Sequence, residues 1–276
     1  MNALRLNRMP SPRHLFLAPV ALIMAAPLIW MAITSIEKPG EARRFPPVLI
    51  PSGIHWQNYT KAVNSAPFGH WYLNSVTVSA VVVVSNVAFC SLAAYAFARI
   101  RFAGSNILFV ALLATLMVPF QVVLIPTFLI VRHLGLIDNL SALIAPNLVN
   151  AFGIFMLRQF FRTLPVELEE AARIDGCSRL GVLVKIVLPL SAPALSTLAL
   201  ITLLWTWNDF LWPLVAINTE SHMTLQVGLS TFQGQHQTQW TVLMAGNVLA
   251  LLPMLAAFVL TQRSFVRSIA ASGVKG

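Results

Sequence analysis

Long apolar runs, separated by short polar, basic or proline-bearing segments, make up almost the whole chain, and their lengths set the first expectation. The run from His14 to Ile36 is too long for a signal-peptide core and is followed by no small-residue cleavage site, so it reads as a retained first span. A stretch reaching about residue 70 then carries Pro39, Gly40, Pro46, Pro47, Pro51 and Gly53. Its prolines oppose a helix over most of its length, which makes it an external loop. Further apolar runs at about Trp71 to Ala98, Asn106 to Val131, Ser141 to Phe161, Ala192 to Ile217 and Trp240 to Gln262 predict five more spans. The valines at 81 to 84 suit a strand in water, yet in lipid the segment stays helical because it must satisfy its own backbone. Pro119 and Pro126, on either side of Gln121, predict a third span that is kinked or locally unwound.

One charged island interrupts the apolar pattern, PVELEEAARIDGCSRLGVLVKIVLP at 165 to 189. Pro165 fits a first helical turn, and Glu167, Glu169 and Glu170 lie near the positive end of that helix's dipole. Gly176 ends the helix, and Ser178 caps a second one whose apolar residues run up to Pro189. The expected product is a helix, a glycine break and a helix, forming a rigid exposed elbow. On its first helix Leu168, Ala171 and Ala172 are expected to share a face that a partner can approach closely, while Glu170 offers a carboxylate to a partner's arginine. A structural alternative is an amphipathic helix lying on lipid, although alanines would then stand where bulky apolar residues are usual.

Composition agrees with the membrane reading: 57% of residues are hydrophobic, 10% are charged and the mean hydropathy is +0.76. The net charge of +9 comes from basic residues scattered between apolar runs, without the aromatic-interleaved patch that nucleic acid requires. Thirteen of the 18 Lys and Arg fall at the N-terminus, at the end of the second span (Arg99 and Arg101), about the elbow and at the C-terminus, and the other five are Lys38, Arg43, Arg44, Lys61 and Arg132. The positive-inside rule therefore puts both termini and the elbow in the cytoplasm. Cys90 and Cys177 form no disulfide framework, and the six histidines show no metal-ligand spacing, so no metal or cofactor is expected. Walker A, GxSxG and paired-carboxylate patterns are absent from the sequence, so the chain is not expected to hydrolyse ATP itself.

Glu170-Ala171-Ala172, three residues, Gly176, nine residues, Ile186, one residue and Leu188-Pro189 resemble the EAA motif of permease subunits of binding-protein-dependent ABC importers, with every position filled. The segments AYAFARIRFAG at 94 to 104, GIFMLRQFFRTLP at 153 to 165 and WTWNDFLWPL at 205 to 214, with QR at 262 to 263 and the terminal VKG, look like the carbohydrate branch related to maltose and glycerol-phosphate permeases. The resemblance runs from about residue 15 to the C-terminus. It implies an all-α polytopic type I permease fold with six transmembrane helices and a cytoplasmic helix-turn-helix coupling loop. It also implies ATPase docking by Leu168, Glu170, Ala171, Ala172, Asp175 and Gly176, with motion passed to the spans through the elbow. The implied partners are a homologous second permease subunit, two copies of a cytoplasmic ATPase and an extracytoplasmic solute-binding protein, in a bacterial inner membrane. The expected organisation is a cytoplasmic tail at 1–13, a permease domain at 14–262 containing the elbow loop 162–190, and a second cytoplasmic tail at 263–276.

A substrate path is sought among polar groups inside the spans. Asp209 lies in the fifth span among Trp205, Trp207, Asn208 and Trp212, and an intramembrane carboxylate faces a polar path or a partner by default. Rings beside amides and acids suit sugars, whose C–H faces stack while their hydroxyls need donors and acceptors. Interface anchoring and helix packing explain the same cluster equally well. Gln121, Asn147 and Asn150 are further path candidates, with helix–helix hydrogen bonding as their alternative role. A stand-alone secondary transporter or channel is the rival reading; six spans without inverted halves and few intramembrane ionisable groups count against it.

Overall fold

The structure, a computed structural model, describes residues 12–46, 48–233 and 238–273, with side chains for 16–46, 48–233 and 238–261. Most of the expected tail at 1–13, the terminal VKG and the side chains at 262 to 263 lie outside what it describes. Helices follow one another as α1 (Pro12–Ile36), α2 (Gln57–Asn64), α3 (Phe68–Arg99), α4 (Ser105–Thr115), α5 (Phe120–His133), α6 (Leu140–Ile144) and α7 (Ala151–Phe161). They continue as α8 (Glu167–Ile174), α9 (Arg179–Val182), α10 (Leu188–Leu190), α11 (Ala192–Trp207), α12 (Leu211–Ala216), α13 (Leu225–Ser230) and α14 (Trp240–Gly273). Among the described residues there is no strand beyond one isolated bridge, Gln233 to Thr238.

Three helices are each long and apolar enough to cross a bilayer, over Phe16–Ile36, Phe68–Arg99 and Trp240–Thr261. Three bent pairs, α4 with α5, α6 with α7, and Arg179–Leu190 with α11, bring the count to six if each pair is one span. The third expected span departs furthest from expectation. Its halves meet at 102°, far more than a proline kink, because residues 116 to 119 leave the helix and Pro119 restarts it, whereas Pro126 is accommodated inside α5. The fifth expected span also stops early, α11 ending at Trp207 before α12 resumes at Leu211. α14 continues to Gly273, through most of what the sequence assigned to a tail.

Two compact units are distinguished, Met1–Ala66 with Thr231–Ala250, and Pro67–Ser230 with Leu251–Gly276. In the first, Asn58 Nδ2 donates to the carbonyls of Ser35 (2.9 Å) and Glu37 (2.8 Å), and Ser35 shares a hydrogen bond with the Tyr59 hydroxyl, tying α2 to the end of α1. In the second, α3, α7 and α11 pack on one another. A core at one end joins Cys90, Ala94 and Tyr95 of α3 to Leu157 and Phe161 of α7 and Leu198 of α11. A second core joins Val78 and Val82 to Val131, Leu143, Trp212 and Ala216. Near the start of α3, Trp71 Nε1 donates to Glu220 O (2.8 Å) and Asn74 Nδ2 to Ser221 O (2.8 Å), while Leu225 N donates to Ser75 Oγ (2.8 Å).

Candidate functional site

Two sites share α3. The first is a cavity of about 580 Å³ lined by residues of the second unit. Ser75, Val78, Val82 and Asn86 recur every three or four residues and so present one face of α3 to it. The wall is completed by Leu143, Asn147 and Asn150, by Thr202, Trp205 and Thr206 of α11, and by Asn208, Asp209, Trp212 and Thr224, with Phe120 reaching in from α5.

Four of the five path residues expected from sequence, Asp209, Asn208, Asn147 and Asn150, meet in this wall. Gln121 does not: it is exposed on α5, because the sharp turn before Pro119 sends the neighbouring Phe120 into the cavity instead. Asn150 lines the cavity while its amide holds two packing bonds, Oδ1 accepting from Gly153 N (2.6 Å) as the cap of α7 and Nδ2 donating to Asn86 Oδ1. Asn147 Nδ2 donates to Leu143 O (2.9 Å), and Asn86 Nδ2 donates to Val82 O (2.9 Å) and Asn147 O (2.7 Å). This amide cluster holds α3 to the start of α7, the packing role that intramembrane amides often take.

The aromatic residues divide in the same way. Trp212 is buried and its Nε1 donates to Ala142 O (3.0 Å), and Trp207 is buried edge-on to Tyr72, so both rings are structural. Trp205 is 55% exposed, lines the cavity and is fixed by an edge contact with Phe152 at 5.4 Å. Asp209 sits between α11 and α12, its Oδ1 3.5 Å from Trp212 N, while Asn208 Nδ2 turns back to Leu204 O (2.8 Å). Sequence reasoning did not single out Ser75, Asn86, Thr202, Thr206 or Thr224. The helical spacing of Ser75 and Asn86 within an apolar run was the signal that could have found them.

The second site is the elbow. Gly176, at φ +85°, ends α8 as expected, and Ser178 Oγ accepts from Gly181 N (3.1 Å) at the start of α9. Pro165 lies just ahead of the Val166 cap, outside the first turn. Between α9 and α10 the helix runs through a π segment, Leu183–Val187, which the sequence reading did not anticipate. Leu168, Glu170, Ala171, Asp175 and Gly176 are all exposed, as a docking surface requires. Ala172 is not: it packs into the core with Leu157 and Phe161, because three-residue spacing puts it above Glu169 on the inward side of α8. The outward side instead carries Ile174, 87% exposed.

Glu169, buried beside the exposed Glu170, anchors the elbow. Arg99 Nε donates to Glu169 Oε1 at 2.6 Å, and the Tyr95 hydroxyl donates to Oε2 at 3.2 Å. Arg99 Nη2 also donates to the carbonyls of Phe161 (2.8 Å) and Leu164 (2.7 Å). One guanidinium thus closes the end of α7, the last turn of α3 and the inner face of α8 together. Asn86 lies 13 residues before Arg99 on the same helix, about 20 Å at the α-helical rise. The elbow and the cavity are therefore two ends of one rod.

Residues 86–271, which include the elbow and much of the cavity wall, match the family described as binding-protein-dependent transport system inner membrane component. The chain is 36% identical to the arabinooligosaccharides transport system permease protein AraQ of Halalkalibacterium halodurans, over 93% of each chain. It is 34% identical to the sn-glycerol-3-phosphate transport system permease protein UgpE of Yersinia enterocolitica, over 93% of this chain and 94% of that one. The fold superposes with a TM-score of 0.80, at 26% identity, on a chain from a bacterial ABC transporter involved in the import of the acidic polysaccharide alginate, covering 94% of this chain and 100% of the other.

Proposed function

The chain belongs to the family of binding-protein-dependent transport system inner membrane components, and from that premise we propose that it is the permease subunit of an ABC importer for a carbohydrate or polyol phosphate. The observation that carries the reading is mechanical. Glu169 locks the exposed elbow to Arg99 at one end of α3, and the same helix lines the cavity with Ser75, Val78, Val82 and Asn86 further along. Force applied to α8 is delivered through a charge-assisted hydrogen bond to a helix that shapes the cavity, a rigid-body coupling between packed elements.

In this reading a cytoplasmic ATPase, present in two copies, docks on Leu168, Glu170, Ala171, Asp175 and Gly176, with Ile174 as an added apolar contact. A homologous second permease completes the path, and an extracytoplasmic solute-binding protein delivers the substrate. The termini and the elbow face the cytoplasm of a bacterial cell, on the charge bias along the chain. ATP is hydrolysed on the partner, and this chain contributes the path and the coupler.

Vesicles containing this chain, the second permease, the ATPase and the binding protein test the proposal by measuring uptake and hydrolysis together. Glu170→Lys puts a cation against the ATPase, and Gly176→Pro forces φ near −65° where +85° is needed. Both variants are expected to insert normally and to lose substrate-stimulated uptake. Full uptake by both would remove the elbow from the mechanism.

A further inference from the structure

The turn joining α3 to α4 carries a groove that neither the path nor the coupling mechanism uses. Its volume is about 370 Å³, within the range of ligand sites, and Phe97, Arg99, Arg101, Phe102, Ser105 and Val166 line it. α3 is apolar enough to cross a bilayer as far as Arg99, and the bent apolar pair that follows it begins at Ser105. The groove therefore lies at the bilayer surface, and the Arg99–Glu169 bond puts it on the elbow's side.

Its charge is unbalanced. Arg101 is exposed and has no hydrogen-bond or ion-pair partner among the described residues, and no Asp or Glu is among those lining the groove. The nearby carboxylate of Glu169 is already held by Arg99 and Tyr95. α7 adds Arg158, whose Nε donates to Phe97 O (3.2 Å) and whose guanidinium lies 3.9 Å over the Phe109 ring, and Arg162 one turn on. Neither pairs with a carboxylate among the described residues. Basic pockets between spans on the cytoplasmic side are suited to lipid headgroups.

The apolar surface beside the groove decides which anion fits. Just beyond Ser105, Ile107, Val110, Ala111 and Ala114 recur at three- and four-residue spacing along one face of α4, and all four are exposed, Ile107 at 77%. A free phosphate would meet the arginine and leave this strip unused, whereas a lipid uses both. We propose that the groove binds the phosphodiester of an anionic phospholipid in the leaflet on the elbow's side. Arg101 is its cationic contact, Ser105 offers a hydroxyl, and the α4 strip is the bed for an acyl chain. Because Arg99 and Val166 line the same groove, the bound headgroup bridges the end of α3 to the start of the elbow.

The test places the full chain in detergent micelles doped with equal amounts of dioleoyl phosphatidylglycerol and dioleoyl phosphatidylcholine, and counts retained lipid by native mass spectrometry. No transport is measured, so the result stands apart from the importer reading. Phosphatidylglycerol is expected to be retained in preference. Arg101→Gln, at an exposed side chain without partners, leaves the fold intact and should lower that preference by about fivefold, the value of one arginine near an anionic surface. Arg101→Lys should keep most of it. Arg173→Gln removes the same charge from the elbow outside the groove and should leave the preference unchanged. Phosphatidylglycerol with a photoreactive acyl chain should label α4. Equal retention of the two lipids, or an equal fall in Arg101→Gln and Arg173→Gln, overturns the site. Displacement of the lipid by excess inorganic phosphate overturns the lipid assignment in favour of a soluble anion. Unchanged lipid retention in Arg101→Gln with loss of ATPase co-purification overturns it in favour of the docked subunit.

Discussion

Arg99 Nε meets Glu169 Oε1 at 2.6 Å with both side chains almost wholly buried, and the guanidinium's other arm caps the carbonyls that end α7. The pair is the joint between a helix that lines the cavity and the elbow that faces outward. An ion pair with a filled set of hydrogen bonds at low exposure holds geometry, and its loss leaves a buried charge unmatched.

Glu169→Ala is therefore expected to destabilise the chain by about 3–5 kcal/mol, the range for removing one member of a buried pair. Arg99→Lys retains the charge but cannot span three acceptors with a planar fork. The double swap Arg99→Glu with Glu169→Arg should not rescue, since the carbonyls of Phe161 and Leu164 need a donor at position 99. Thermal unfolding in detergent, with the ratio of uptake to ATP hydrolysed in vesicles, checks all three; rescue by the swap would reduce the joint to a simple charge pair.

The elbow was legible in the sequence because its determinants are local: Gly176 for a positive φ and Ser178 for a cap. The division of labour between Glu169 and Glu170 was not, because it depends on how α8 is rotated against α3 and α7. Six apolar stretches were visible as runs, but the 102° turn before Pro119 was not, and it is what removes Gln121 from the cavity. Asn150 lines the cavity while one N–H of its amide is bonded to Asn86 and its oxygen caps α7, so packing is its observed role and a path role is a matter of position. The π segment at Leu183–Val187 lies just ahead of Pro189, which has no N–H for the Lys185 carbonyl and crowds it, and the segment places Leu183 and Val187 in the core beside Val182.

Gly228 is set by packing. A Cβ built on it falls 2.1 Å from the Trp71 ring, which is fully buried and pinned through Nε1 to Glu220 O. Gly228→Ala must displace the indole, at about 1–3 kcal/mol for an overpacked core or somewhat more if the hydrogen bond breaks. Gly69→Ala, on the same helix α3 with nothing within 4 Å, is the matched control and should be stabilising by up to about 1 kcal/mol. Melting temperatures of the two variants shifted in the same direction would contradict this account.

Asp138 fixes the loop between α5 and α6. Its carboxylate accepts from the backbone N–H groups of Asn218 (2.9 Å) and Thr219 (2.7 Å) and from the Thr219 hydroxyl. The Thr219 hydroxyl and these backbone donors hold its pKa at about 2, below the ordinary 3.8. A folded value below the unfolded one means that the contribution is full above about pH 4 and fades as pH falls toward 2. Loop protection measured by hydrogen exchange should be flat from pH 5 to 8 for this group and fall below about pH 4. Asp138→Asn, which tolerates the observed φ of 61°, should lower protection at pH 7 and lose the acid-side fall; an unchanged profile would assign the fall to another group.

The orientation of the chain is open to a direct chemical test, since the charge bias predicts which side each loop meets. Ser52, between α1 and α2, and Arg173, near the end of α8, are both exposed, so their reactivity reports sidedness and not burial. Cys90 is 0% exposed and stays silent, and Cys177, half-buried in the elbow, is replaced by serine beforehand. Ser52→Cys should react with an impermeant maleimide in intact cells, whereas Arg173→Cys should react only after permeabilisation. Expressing the chain without the ATPase keeps the elbow uncovered, so a missing signal at position 173 in intact cells cannot be ascribed to docking. Labelling at 173 but not at 52 in intact cells would place the elbow outside, where no ATP-driven partner could reach it.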